Sequence, residues 1–300
     1  MGIDIACVVE ARAQIGEGAF WDATAQLLWW VDIPAGVLYR YDPVSGENRA
    51  FAVGEPVGCC APRAAGGLVL ATRSGFHLFD PATGARTALV DPEPDRPGNR
   101  FNDGTTDPAG RFWAGTMKME GEPEPTGAFY RLDADHTCRR WLDGLYTTNG
   151  LAFSPDGRTM YLSDSNPRVR LIWACDYDPA TGEPSNRRVF FDTRAVAGRP
   201  DGGTVDADGC YWMAGVSGWQ LVRLTPAGRV DHLIITDAEL RLPDALRDAY
   251  RTWTRTHDVH TYGIVVGTRS AGDLEQICAR CWSVPRLDPD SIAVTEMLSL

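Results

Sequence analysis

No run of apolar residues in this 300-residue chain is long enough to cross a bilayer, so no membrane-spanning helix is expected. The N-terminus, Met1-Gly2-Ile3-Asp4-Ile5-Ala6-Cys7, lacks the basic region and long apolar stretch of a secretory signal. Ala6 stands where an N-myristoylation motif needs Ser or Thr, and a cytoplasmic location is expected. Positive charge is also short: the formal net charge of −11 disfavours nucleic acid and anionic membrane as partners and points to a small neutral ligand. The eight cysteines are scattered, and Cys278-Ala279-Arg280-Cys281 has no second CxxC pair, which argues for free thiols over a zinc or redox site. The five histidines are isolated apart from His257 and His260, and Ser163-Asp164-Ser165 has neither a GxSxG elbow nor a paired histidine. Neither an imidazole metal ligand nor a serine nucleophile is expected.

What the chain does have is a repeat. Leu28-Trp29-Trp30-Val31-Asp32, Leu68-Val69-Leu70-Ala71-Thr72, Phe112-Trp113-Ala114-Gly115-Thr116, Met160-Tyr161-Leu162-Ser163-Asp164 and Tyr211-Trp212-Met213-Ala214-Gly215 recur at about 40 to 50 residues, the length of a four-stranded propeller blade. Most are followed by an aromatic strand running into a turn: Tyr41-Asp42-Pro43-Val44-Ser45-Gly46, Phe79-Asp80-Pro81-Ala82-Thr83-Gly84, Tyr177-Asp178-Pro179-Ala180-Thr181-Gly182 and Leu224-Thr225-Pro226-Ala227-Gly228. Pro and Gly there set the φ angles of hairpin turns. Five such units over about residues 15 to 233 leave room for one more, so a single all-β domain, a six-bladed β-propeller over residues 1–300, is expected. Ile5-Ala6-Cys7-Val8-Val9 is expected to join the last blade and close the ring.

Between the repeats lie loops that combine short oxygen-bearing side chains with glycine: Ile15-Gly16-Glu17-Gly18, Arg100-Phe101-Asn102-Asp103-Gly104, Thr148-Asn149-Gly150 and Pro200-Asp201-Gly202-Gly203. Glycine relieves the strain of a tight bend and lets its neighbours aim inward. Glu17, Asn149 and Asp201 are thereby offered as oxygen ligands to a hard or borderline divalent cation. As local features, each would also pass as a turn, and Asp103 reads as a residue that braces its loop.

As an ordered set, Gly16-Glu17-Gly18, Glu55-Pro56-Val57-Gly58, Arg100-Phe101-Asn102-Asp103-Gly104, Thr148-Asn149-Gly150-Leu151-Ala152-Phe153-Ser154-Pro155-Asp156-Gly157 and Pro200-Asp201-Gly202 resemble the senescence-marker-protein/gluconolactonase/luciferin-regenerating-enzyme-like family, to which regucalcin and bacterial sugar lactonases belong. The resemblance covers about residues 6 to 233 and implies a six-bladed propeller that hydrolyses a sugar lactone with one divalent cation, Ca, Zn, Mn or Fe(II). It implies Glu17, Asn149 and Asp201 as metal ligands, Asp201 also as general base, and Arg100, Asn102 and Glu120 as substrate contacts. A monomer or weak oligomer is expected. Two rival functions stay open, a non-catalytic propeller that binds calcium or a protein partner, and an organophosphate or aryl-ester hydrolase with the same metal centre.

After about Ile234 the resemblance ends. Thr236-Asp237-Ala238-Glu239-Leu240-Arg241-Leu242-Pro243-Asp244-Ala245-Leu246-Arg247-Asp248-Ala249-Tyr250 reads as helical or irregular, where the family would close its last blade. Residues 234–300 are read as a frame-displaced or divergent segment, and whether they form a closing blade is left open.

Overall fold

The computed structural model describes residues 2–3, 7–218, 220–236, 244–257, 260–266, 272, 274–278 and 280–285. Five four-stranded antiparallel meanders follow one another along the chain, each beginning with an inner strand: Gly16–Asp22, Val57–Pro62, Asn99–Thr106, Thr148–Phe153 and Arg199–Val205. The repeated motifs become second strands, as in Leu27–Asp32 and Phe112–Lys118, and the Asp-Pro turns become outer hairpins. In these turns the Asp carboxylate caps the bend, Asp42 accepting from Val44 N–H at 2.8 Å and Asp178 from Ala180 N–H at 2.9 Å. Gly46 and Gly182 follow at φ +73°, a conformation that favours glycine.

Alternation along the second strands stitches the blades together. Successive strand residues point to opposite faces, so Trp113 packs with Phe129, Leu162 and Tyr177 in the seam between blades three and four, while Phe112 and Ala114 pack with Phe76 and Phe101 in the seam between blades two and three. Tyr161 enters the seam between blades four and five with Tyr211 and Met213, and Met160 and Leu162 enter the previous one. These strands are therefore almost wholly buried, and read as apolar runs instead of strict alternation.

The sixth blade expected from the repeat is not present among the described residues. The fifth blade is instead widened: His260–Val266 pairs parallel to Val230–Thr236, Arg280–Pro285 pairs parallel to His260–Val266, and Gly2–Ile3 pairs parallel to Arg280–Pro285. A parallel pairing needs a crossover, and the helix Asp244–His257 lies between the first two of these strands. The physical reason is local sequence. This segment lacks the β-branched run and Asp-Pro turn of a meander, and its Ala, Leu and Arg residues are good helix formers. Asp244 pairs with Arg247 one turn on. The expected closing strand at residues 5–9 is likewise corrected: residues 5 and 6 lie outside the described set, and Cys7–Val9 form no strand. Among the described residues no helix is long and apolar enough to cross a membrane, and all eight cysteines are free thiols.

Candidate metal and substrate site

Every inner strand carries one extra residue relative to its partner. The register slips between Glu17 and Phe20, Val57 and Cys59, Phe101 and Gly104, Asn149 and Ala152, and Pro200 and Gly203. A bulge bends a strand and re-aims side chains, and here the bulge falls at the Gly-containing loops singled out in the sequence. Gly150 shows why glycine is required: it sits at φ +61°, and a Cβ would collide with Tyr211 Oη and Ser163 Oγ. Gly58 serves a different need, since a Cβ there would come within 2.5 Å of the Phe101 and Asn102 carbonyls of the next inner strand.

The segments leading into two inner strands are held alike. Asp32 accepts the Gln14 and Ile15 N–H groups at 2.9 and 3.2 Å, and Asp164 accepts those of Tyr146 and Thr147 at 2.8 and 3.2 Å. In both blades this anchors the residue two places before the candidate ligand, Glu17 or Asn149. The direction in which these two candidate ligands leave their strands is thus set by a buried carboxylate bonded to backbone.

Asn149 and Asp201 meet across blades four and five, and Glu17 of blade one lies near enough to feel the charge of Asp201. Asn149 is 3 % exposed. It donates one amide hydrogen to Asp201 Oδ1 at 2.7 Å and the other to Ser165 Oγ at 2.8 Å, which leaves Oδ1 as its acceptor. Ser165 is held in turn by donating to the Pro200 carbonyl. Burial, and then the charges of Asp201 and Asp103, push the Glu17 carboxyl up from 4.5 to about 7, against the pull of Arg100. Burial also raises Asp201, with its bonds to Asn149 and the Arg199 charge opposing. Asp103 is pushed up to about 6 by burial, in spite of the Leu151 and Gly104 N–H groups it accepts.

Asp103 thus has two aspects. It braces the loop through Leu151 N–H at 3.3 Å, as its turn-like sequence indicates. It is also a third carboxylate of the cluster, which the Asn-Asp-Gly pattern does not distinguish from a simple turn. Arg100 and Asn102 act as a pair: Arg100 Nη1 donates to Asn102 Oδ1 at 2.8 Å and to the Phe101 carbonyl at 2.9 Å, while Asn102 Nδ2 donates to the Thr148 carbonyl at 2.9 Å. Asn102 therefore ties the guanidinium to the strand that bears Asn149. Glu120 is exposed in the segment after Phe112–Lys118 and shares no hydrogen bond with Arg100 or Asn102.

Whether these residues suit a cation is decided by their donors and charge. Among the described residues no three His, Cys, Asp or Glu side chains are gathered as a ready metal cage. The set on offer is two carboxylates and an amide oxygen, hard ligands of the kind that divalent cations take. Three half-buried or buried acids with one guanidinium among them are short of positive charge, which a divalent ion supplies. The residues fit such an ion. Past the bulges the inner strands line a channel of about 890 Å³.

The family model for the SMP-30/Gluconolactonase/LRE-like region matches residues 15–242. The chain belongs to this family. Among its members, a 6-deoxy-6-sulfogluconolactonase from Pseudomonas putida is 37% identical over 231 residues, covering 77% of this chain and 78% of that protein. A regucalcin from Danio rerio is 36% identical over 225 residues, 75% of each chain. Among solved structures, a calcium-binding regucalcin from Agrobacterium tumefaciens superposes with a TM-score of 0.70 at 30% identity, covering 74% of this chain and 75% of that one. A gluconolactonase from Xanthomonas campestris gives 0.60 at 25% identity over 73% and 75%.

Proposed function

We propose that this SMP-30/gluconolactonase-family chain is a metal-dependent lactonase that opens a sugar lactone, an aldonolactone such as glucono-, xylono- or arabinonolactone, to the sugar acid. One observation carries the reading: Asp201 of blade five is hydrogen-bonded to the amide of Asn149 in blade four, and Glu17 of blade one feels the charges of Asp201, Asp103 and Arg100. The names of the Pseudomonas and Xanthomonas relatives support lactone as the substrate class.

Glu17, Asn149 and Asp201 would hold the cation, Ca, Zn, Mn or Fe(II). When bound, it supplies Lewis-acid polarisation of the lactone carbonyl. Asp201 is the proton acceptor: as water adds to the carbonyl carbon, a proton passes to Asp201 and then to the ring oxygen as the ester C–O bond breaks. In the metal-free protein, burial raises the Asp201 carboxyl above its ordinary range. Arg100, aimed by Asn102, would donate to sugar oxygens, and Glu120 would accept from sugar hydroxyls at the pocket wall. Such donors select by the penalty of about 1 to 3 kcal/mol for a buried polar group left unpaired.

The test is an assay of sugar lactones against phosphotriesters and aryl esters, before and after exhaustive chelation. Lactone opening that disappears with chelator and returns with added metal is expected. Full lactonase activity with no metal detectable by mass spectrometry would remove the metal's role. Phosphotriester turnover alone would favour the organophosphate reading, and calcium binding without turnover the non-catalytic one.

Asn102→Ala frees Arg100 and leaves the Thr148 carbonyl without its donor. We expect kcat/KM to fall roughly 5- to 150-fold, about 1 to 3 kcal/mol. The rise in Tm on adding metal should remain, because Asn102 is not a ligand in this scheme. Steady-state kinetics and thermal melts on the same preparation check both halves.

A further inference from the structure

Glu93 takes no part in the cluster described above, yet it is the hub of a buried network that ends one residue from Arg100. The side chain belongs to a residue only 7 % exposed. Its Oε1 accepts from Thr116 Oγ1 and from Tyr130 Oη, each at 2.9 Å, and its Oε2 accepts from Asn99 Nδ2 at 2.9 Å. A carboxylate suits this place because it accepts from all three and donates nothing.

Asn99 passes the arrangement on. Its Nδ2 also donates to the Thr126 carbonyl at 2.9 Å, and its Oδ1 accepts from Thr126 Oγ1 at 2.8 Å. Arg96 adds a bond to the same carbonyl at 2.6 Å and forks onto Asp143 at 2.8 and 2.9 Å. At the other foot of the acidic segment, Met119 N–H donates to the Gly98 carbonyl at 2.9 Å. Residues 93–99 therefore grip both ends of segment 119–126, which carries Glu120, and run directly into Arg100. Glu93, Asn99, Arg100 and Thr116 share the wall of a 340 Å³ cavity between blades two and three, with Glu55 and Ser74 opposite.

We infer that Glu93 and Asn99 are positioning residues that hold Arg100 and the Glu120 segment in one fixed relation, so that the cavity beside Arg100 reads the hydroxylated tail of the substrate. The inference rests on the lactonase reading for the identity of that substrate. It assigns no chemistry to Glu93: the carboxylate acts through Asn99, and Asn99 acts through Arg100 and Thr126. Substrate affinity should depend on the network while the chemical step, carried by Asp201 and the metal ligands, should not.

Asn99→Asp is the sharpest test, since it sets a carboxylate against Glu93 and withdraws one of the two donors to the Thr126 carbonyl. The KM for a hexonolactone is expected to rise at least tenfold, with kcat within about twofold. Adding Glu93→Gln restores a donor between positions 93 and 99 and should bring KM most of the way back. Thr126→Val, a near-isosteric change that cuts only the outer bond, should raise KM about three- to tenfold and guards against a variant that fails to fold. Independently of activity, backbone amides of residues 119–126 should exchange with deuterium faster in Asn99→Asp and Thr126→Val, and those of Thr148–Phe153 should not. An active wild type whose KM is unmoved in both variants would overturn the inference, and so would unchanged exchange. A wild type that opens no lactone removes the lactonase reading, and the exchange result then decides the clamp by itself.

Discussion

Asp201→Asn is expected to bind metal and to lose lactone turnover by a factor on the order of 10² to 10⁴. The substitution keeps an oxygen where the cation and the Asn149 amide find one, and removes the group that can take a proton. Asn149 already donates to Asp201 Oδ1 at 2.7 Å, and an amide oxygen can accept that bond as a carboxylate does. Binding should therefore outlast catalysis. The measurement is kcat at saturating lactone together with metal content by mass spectrometry on the same sample. Wild-type turnover with metal bound would move the base role to another group, and Asp103 is the next acid in the cluster.

Glu17→Gln is expected to act in two opposite directions. In metal-free protein the glutamate is held against its preference: its carboxyl rises from 4.5 to about 7 because burial and the charges of Asp201 and Asp103 disfavour ionisation. A folded-state pKa above the unfolded value means that the protonated form stabilises the fold at low pH and that this stability is lost as pH rises through 7. The substituted amide carries no charge to lose. The variant and the metal-free wild type should accordingly converge below pH 4.5, and the variant should gain about 1 to 3 kcal/mol above pH 7, a Tm rise of roughly 2 to 5 °C. With metal the order reverses. Wild type should be stabilised more strongly than the variant, because an amide is a weaker ligand for a hard cation than a carboxylate. Thermal melts of both proteins at pH 4 and pH 8, with chelator and with added metal, check each comparison. A metal-induced shift in the Glu17→Gln protein equal to that of wild type would remove Glu17 from the ligand set.

Much of the ring was legible in the sequence because a blade is a local object. The Asp-Pro turns and aromatic second strands lie within one unit of about 40 to 50 residues, and each produced the hairpin its residues specify. The sixth blade was an extrapolation of that period into a segment whose own residues form a helix, and the parallel strands that replace it obey no local pattern. The clustered loops were legible for the same reason as the blades: glycine beside Asn or Asp marks a bend, and the bends became bulges. The second aspect of Asp103 was hidden because brace and cluster member look identical in an Asn-Asp-Gly run. Glu93 left no signal at all, since its partners Asn99, Thr116 and Tyr130 lie 6, 23 and 37 positions away and only the folded blade assembles them.

The extra residue in each inner strand separates two jobs along one piece of backbone. Beyond the slip, residues such as Ala152 and Phe153 keep the odd-even phase that the blade seams demand. Before it, Glu17 and Asn149 stand in a different phase. A ligand can therefore be exchanged for another polar residue without rotating the downstream apolar side chains out of their seams. Side chains at the bulges and cohesion of the blade seams can drift independently, so a scaffold of this kind is able to vary the chemistry at its bulges while leaving its packing intact.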